Sequence, residues 1–236
     1  MPTALITGGA VRIGRALVLH LANLGWDIAL HYNRSESQAN ATLKEVKFLK
    51  RRGEAFACDL SDLEAVEQLT GQVLESFPDL ELLINCASLF LNESVENTSR
   101  ETLEKTLNIN LSAPYILMRD YKRKVGKGMI VNILDERIKR NVPAFAAYSV
   151  SKVALSHLTH LAAVDWGSEV RVNAIAPGLI LPPVGGDPGY LKRAAKNIPA
   201  QNHGDTEDIV RALQYLIESP FVNGETLFVD GGESKG

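Results

Sequence analysis

Short apolar runs, many of them β-branched, recur along the chain between longer stretches whose apolar residues fall at helical spacing. Ala4–Thr7, Asp27–Tyr32, Ala55–Ala57, Leu80–Asn85, Gly128–Leu134, Val170–Ile175 and Thr226–Val229 are predicted as buried strands. The segments between them are predicted helices, with N-terminal capping boxes at Ser61-x-x-Glu64 and Thr98-x-x-Glu101. Strand and helix in alternation predict an α/β fold: a doubly wound, parallel, seven-stranded sheet with helices on both faces, because each right-handed crossover lays its helix on one side. Ligands of such sheets bind beyond the carboxyl ends of the strands, so the residues after each strand are where chemistry is expected.

Composition narrows this picture without redirecting it. With 236 residues, 45% of them hydrophobic, the chain can bury a full core, and residues 1–236 are expected to form a single domain. A formal net charge of −3 provides no basic field for a nucleic acid, so none is expected as a partner. The N-terminus runs straight into a strand without a basic, apolar leader, and no apolar run approaches the ~20 residues of a spanning helix. A cytoplasmic protein with no membrane partner is therefore expected. Cys58 and Cys86 lie far apart at predicted strand ends and read as reduced small hydrophobes. His157 and His160 fall in no metal-ligand pattern, and no metal is expected.

The first strand ends in Thr7-Gly8-Gly9-Ala10-Val11-Arg12-Ile13-Gly14. This departs from the usual G-x-G-x-x-G spacing but keeps its physics. Gly8 permits a tight turn, Gly14 permits close helix–sheet packing, and the following helix N-terminus offers backbone N–H groups to a pyrophosphate. About 20 residues further on, where NAD binders carry an acid for the ribose hydroxyls, the chain has Tyr32-Asn33-Arg34-Ser35. Arg34, Ser35 and Arg12 offer positive charge and donors to a 2′-phosphate, which favours NADPH as cofactor. Asp59, followed by Leu60, either accepts from an adenine amine or is a turn residue before the next helix.

Tyr148 and Lys152 stand four apart at the start of a predicted helix, hence on one face. A neighbouring ammonium is expected to lower the phenol's pKa and make it a usable acid–base group, while Lys152 can also hydrogen-bond a nicotinamide ribose.

Taken together, Thr7–Gly14, Asn85-Cys86-Ala87, Asn110, Tyr148-x-x-x-Lys152 and Pro177-Gly178 resemble the short-chain dehydrogenase/reductase family, in order and over nearly the whole chain. The resemblance implies a Rossmann-type domain. It also implies that Asn85, Ala87, Pro177 and Gly178 border the cofactor, and that Asn110 helps hold a water linking Lys152 to solvent. Arg12 stands where the family usually has glycine, and Asp135, thirteen residues before Tyr148, where it usually has serine. With His31-Tyr32-x-Arg34-Ser35 and Asn85-x-Ala87-Ser88-x-Phe90, these departures resemble the pteridine reductases. That resemblance implies that Arg12 contacts cofactor and substrate, that Ser88 touches pterin or phosphate, and that Phe90 stacks on the pterin ring.

Charge supports the same choice. An ionised Asp135 would repel the oxyanion that grows as a ketone accepts hydride, but beside Tyr148 it can help deliver a proton to a ring nitrogen. A pterin or folate is accordingly the expected substrate. A carbonyl or 3-oxoacyl-thioester reductase of the same family is the alternative, and a non-enzymatic NADP(H)-sensing protein a third reading. Ile180 replaces a serine common in pteridine reductases, and residues 181–199, rich in Pro and Gly, form either a substrate lid or a long loop. The helices around Thr102–Tyr121 and Tyr148 resemble those that pack subunits in the family, which implies a homotetramer or homodimer.

Overall fold

In the computed structural model, which describes residues 1–187 and 189–235, seven strands form one sheet in the order β3-β2-β1-β4-β5-β6-β7, every neighbouring pair parallel. The strands are β1 (Thr3–Ile6), β2 (Asp27–Tyr32), β3 (Gly53–Ala57), β4 (Leu80–Asn85), β5 (Gly128–Ile133), β6 (Val170–Pro177) and β7 (Thr226–Val229). Each expected strand is present, with ends displaced by no more than two residues. The helices are α1 (Arg12–Asn23), α2 (Glu36–Phe48), α3 (Leu63–Ser76), α4 (Arg100–Leu107), α5 (Ala113–Lys124), α6 (Ala146–Trp166), α7 (Tyr190–Ala194) and α8 (Thr206–Glu218).

Alternation along each strand divides the core in two. Ala4, Ile6, Ile28, Leu30, Leu82 and Ile84 face α1, α2 and α8, packing on Leu17, Leu21, Val46 and Leu213. Leu5, Ala29, Leu83 and Ile130 point the other way, onto Leu69 and Val73 of α3 and Leu117 and Tyr121 of α5. Both sets are almost wholly buried, which is why these strands read as continuous apolar runs rather than alternating ones. Each Leu, Ile or Val among them contributes about 1.5–3 kcal/mol by leaving water.

Two helix starts lie one residue later than the sequence boxes predict. Asp62, not Ser61, caps α3, its carboxylate accepting from the backbone N–H groups of Glu64 and Ala65. Ser61 instead donates its hydroxyl to Asp59. Likewise Ser99 caps α4, while the hydroxyl of Thr98 donates to the Ser94 carbonyl. In both cases two adjacent residues are able to cap, and the earlier one is taken up by the preceding turn.

The chain lays β1, β2 and β3 outward in one direction and then returns to place β4 on the other side of β1. A crevice opens where the order reverses, beyond the carboxyl ends of β1 and β4, and the loops that follow these strands converge there. Among the described residues, no helix is long and apolar enough to cross a membrane.

Candidate active site

The turn after β1 is built by close approach. A Cβ on Gly8 would sit 3.0 Å from the Cα of Ala87 and one on Gly14 would run into the Gly8 carbonyl, so neither position accepts a side chain. Gly8 also has φ +66°, the left-handed conformation that glycine adopts without cost. Thr7 fastens the turn to the segment after β4: its hydroxyl oxygen accepts from the backbone N–H groups of Cys86 (2.9 Å) and Ala87 (3.1 Å). The cluster Thr7, Gly8, Gly14 and Ala87 thus assembles as expected, leaving a shallow backbone surface ahead of α1, with Ile13 tucked against the core.

Arg12 takes φ +54°, unusual for a residue with a Cβ, and its guanidinium donates to the carbonyl of Pro182 at 2.8 Å. It therefore ties the glycine turn to the 181–199 segment. That segment contains α7 and is anchored by buried Ala195 and Ile198, so it is neither an open loop nor wholly irregular; Pro188 lies outside the described residues. Ile180, flagged by the sequence as a departure, points into the core packed against α1 and α8.

At the end of β2, Asn33 and Arg34 are exposed, and Tyr32 and Ser35 are half-buried. Asp59 forms a turn: Oδ1 accepts from both the backbone N–H and the hydroxyl of Ser61, and these bonds hold the carboxyl below its usual pKa. The Leu60 side chain belongs to the core, so only its backbone is open to a ligand.

His31, which the sequence offers only as part of the segment His31-Tyr32-x-Arg34-Ser35, has a place of its own. It is 2% exposed, its Nδ1 accepts from the Gly8 N–H at 3.1 Å, and its Nε2 faces the Cys58 carbonyl at 3.0 Å. The only signal in the chain is a histidine inside an otherwise apolar strand.

The segment after β5 presents Asp135, and α6 presents Tyr148 and Lys152. The phenol of Tyr148 donates to Asp135 Oδ2 at 2.7 Å. Asp135 Oδ1 accepts from the backbone N–H of Arg137 at 2.9 Å and from its guanidinium at 3.3 Å. The Lys152 ammonium, 2% exposed, donates to the Ile133 carbonyl at 2.7 Å and lies 5.7 Å from the centre of the Tyr148 ring. The three expected residues are therefore brought together. The expected electrostatics are not: the Tyr148 pKa is raised well above its usual value, first by burial and then by the charge and hydrogen bond of Asp135. Desolvation and the Asp135 carboxylate outweigh the opposing Arg137 guanidinium, so the phenol is held neutral. Burial lowers the Lys152 pKa to about 8, against the attraction of Asp135.

Around this core, Asn110 lies fully buried in a π-helical turn, Asn108–Ser112, that joins α4 to α5. Its amide is saturated: Oδ1 accepts from the Leu89 N–H and the Ser88 hydroxyl, and Nδ2 donates to the Leu89 carbonyl and to Ser151. Ser88 is accordingly turned toward Asn110, and the Asn110 side chain secures the 88–89 segment. Asn85 donates to Asn132, which donates in turn to Thr159 of α6, a buried ladder linking β4, β5 and the catalytic helix. Gly178 follows Pro177 at the end of β6, where a Cβ would meet Asp230 at 2.7 Å.

Phe90 is 44% exposed and lies edge-on to Tyr148, with centroids 4.6 Å apart. Its ring is stacked on Phe145, centroids 4.1 Å apart and planes 12° from parallel. Phe145, at φ +62° directly ahead of α6, and Arg137, whose guanidinium lies 5.2–5.5 Å from both rings, are further members of the site that motif spacing does not reveal. Behind them Glu136, 2% exposed, shares Arg140 with Glu233; burial, then Glu233 and Asp135, push its pKa up to about 7.

The sequence profile of the family described as Enoyl-(Acyl carrier protein) reductase matches residues 9–234. An "uncharacterized oxidoreductase" of Mycobacterium tuberculosis is 32% identical over 97% of the chain and 90% of its own length. The 2-dehydro-3-deoxy-D-gluconate 5-dehydrogenase of Bacillus subtilis is 31% identical over 98% of the chain and 93% of its own. Among solved structures, the FolM alternative dihydrofolate reductase 1 of Brucella canis, complexed with NADP, superposes with a TM-score of 0.92 at 31% identity, covering 100% of this chain and 94% of that one. With the glycine turn, the Tyr148–Lys152 pair and the sheet order already in place, these matches make the chain a member of the short-chain dehydrogenase/reductase family.

Proposed function

We propose that this protein is an NADPH-dependent pteridine reductase, acting on a dihydropterin or dihydrofolate in the cytoplasm. The observation that carries this reading is the 2.7 Å hydrogen bond from a buried, neutral Tyr148 phenol to Asp135. Reducing a C=N bond requires a proton at nitrogen, and a phenol aligned by a carboxylate is suited to give one. A carbonyl substrate would develop negative charge beside that same carboxylate, at a cost.

The chain fits the cofactor where a bound dinucleotide needs it to: the glycine surface ahead of α1 leaves no Cβ in the way, and exposed Arg34 offers a charge to a 2′-phosphate. The hydride is supplied from the nicotinamide when NADPH is bound. Lys152 orients the ribose and holds positive charge near Tyr148, whose proton goes to the substrate nitrogen. Phe90 provides an aromatic face for a planar ring, and Asp135 accepts from ring N–H or amino groups. Arg12, bonded to Pro182, keeps the 181–199 segment over the glycine turn. The NADP-bound Brucella reductase supports both halves of the reading.

A second reading, reduction of a carbonyl or 3-oxoacyl thioester, is favoured by the similarity to the Bacillus sugar-acid dehydrogenase. Following NADPH oxidation with dihydrobiopterin, dihydromonapterin, dihydrofolate and an acetoacetyl thioester in parallel separates the two. Turnover of at least one pterin or folate is expected; turnover of the thioester alone overturns the pteridine reading.

Tyr115 on α5 and Val153, Leu161 and Val164 on α6 expose a run of apolar surface beside a groove lined by Leu111, Ile116 and Leu158. We propose that this face pairs subunits into a homodimer or homotetramer. Light scattering at micromolar concentration is expected to give a multiple of the 25.8 kDa chain mass; a monomer overturns the assembly.

A further inference from the structure

Three strand ends meet at the cofactor turn, and one side chain joins them. His31 belongs to β2, its Nδ1 accepts from the Gly8 N–H after β1, and its Nε2 donates to the Cys58 carbonyl after β3. A backbone N–H can only donate and a carbonyl can only accept, so the two contacts select one form of the ring: neutral, with the proton on Nε2. A second bond reinforces the placement, the Gly9 N–H donating to the His31 carbonyl at 3.1 Å. The imidazole is 2% exposed, so both bonds are made by a ring almost wholly removed from water.

We propose that His31 is a positioning residue for the dinucleotide: its neutral imidazole fixes the Gly8 turn relative to the ends of β2 and β3 and thereby sets the affinity for NADPH. The inference rests on reading that turn as the NADPH site. Gly8 leads into α1, β2 leads to Arg34, and β3 leads to Asp59, so a single ring spaces the residues assigned to the pyrophosphate, the 2′-phosphate and the adenine side. The groups that act on it are Cys58 and Asp59, both from the end of β3; Arg12, the charged residue of the turn after β1, is bonded to the Pro182 carbonyl instead. Asp59 favours the charged ring, but burial dominates and lowers the His31 pKa to about 4. The unfolded chain binds this proton below about pH 6.5 and the folded chain only near pH 4. The stability owed to neutral His31 is thus complete above pH 6.5 and is lost as pH falls toward 4.

The test is a fluorescence titration of the purified full chain with NADPH at pH 7.5, with the thermal midpoint of each variant recorded and the titration run well below it. His31→Leu removes both bonds and leaves the Gly8 N–H and Cys58 carbonyl unpaired; its Kd is expected to rise about tenfold or more. His31→Gln restores one acceptor and one donor at a spacing close to that of the ring nitrogens and is expected to return to within about threefold of wild type. A Kd for His31→Leu equal to wild type, with only the thermal midpoint lowered, overturns the proposal, as does a glutamine variant no better than leucine.

If His31→Leu fails to fold, nitrogen NMR of the wild-type imidazole decides. An unprotonated Nδ1 whose resonance moves on adding NADPH supports the proposal, and an unchanged resonance overturns it. A wild-type chain that binds no NADPH overturns the cofactor reading itself, a result visible before any variant is made.

Discussion

Tyr148→Phe is expected to lower kcat for the pterin substrate about 10³-fold while leaving the Kd for NADPH within about twofold. The substitution removes one oxygen from a ring that is otherwise packed edge-on to Phe90 and buried beside Lys152, so the fold and the cofactor surface are spared. What disappears is the proton donor. Because burial and Asp135 keep the phenol protonated well beyond neutral pH, Tyr148 does not itself set the alkaline limb of the wild-type profile. Lys152, with a pKa lowered to about 8, loses its charge as pH rises through that value, and kcat/KM for the free enzyme is expected to fall there. Steady-state rates from pH 6 to 9.5 with both proteins test the pair of statements. A phenylalanine variant within tenfold of wild type sinks the assignment of Tyr148 as donor.

Asp135→Ser is expected to reduce pterin turnover about 10²-fold, again with NADPH affinity nearly unchanged, and to raise activity on an acetoacetyl thioester. Serine at this position retains an oxygen able to cap the short 3₁₀ turn at Glu136–Lys139, where Asp135 now accepts from the Arg137 N–H, so gross unfolding is not the expected cause. Loss of the carboxylate removes the partner that aligns the phenol and the charge that disfavours an oxyanion. It also removes a cause of the raised Tyr148 pKa, which should therefore move down toward the ordinary phenol range. An unchanged pterin rate would assign Asp135 to the scaffold alone.

The strands and the ligand-binding end of the sheet were legible because buried parallel strands leave an unmistakable apolar run and because the glycine turn, Asn85-x-Ala87 and Tyr148-x-x-x-Lys152 keep characteristic spacings. Local competition is harder to read. Ser61 and Asp62, or Thr98 and Ser99, are equally able to cap, and only the preceding turn decides between them. Charge balance is harder still: the spacing of Tyr148 and Lys152 points to a lowered phenol pKa, whereas the depth of burial and the hydrogen bond to Asp135 reverse the direction. Residues that act by meeting across the fold leave no spacing from which their partners can be read. Phe145 stacks on Phe90 from 55 positions away, and His31 joins Gly8 and Cys58 by virtue of strand order. The saturation of Asn110 depends on Leu89, Ser88 and Ser151, which no helical period brings together.

The placement of β1 between β2 and β4 has a consequence for how the chain is made. As it leaves the ribosome, β1 can pair at once with β2, but its other edge, Thr3 to Ile6, stays open until Asn85 has been synthesised and β4 can dock. Over that interval the nascent chain presents an apolar strand edge of the kind that recruits chaperones or neighbouring chains. Closure of β4 onto β1 also brings Cys86 and Ala87 to Thr7, so the glycine turn is fastened well before α6 delivers Tyr148 and Lys152. Synthesis thus completes the glycine turn first and adds the Tyr148–Lys152 pair to a surface already in place.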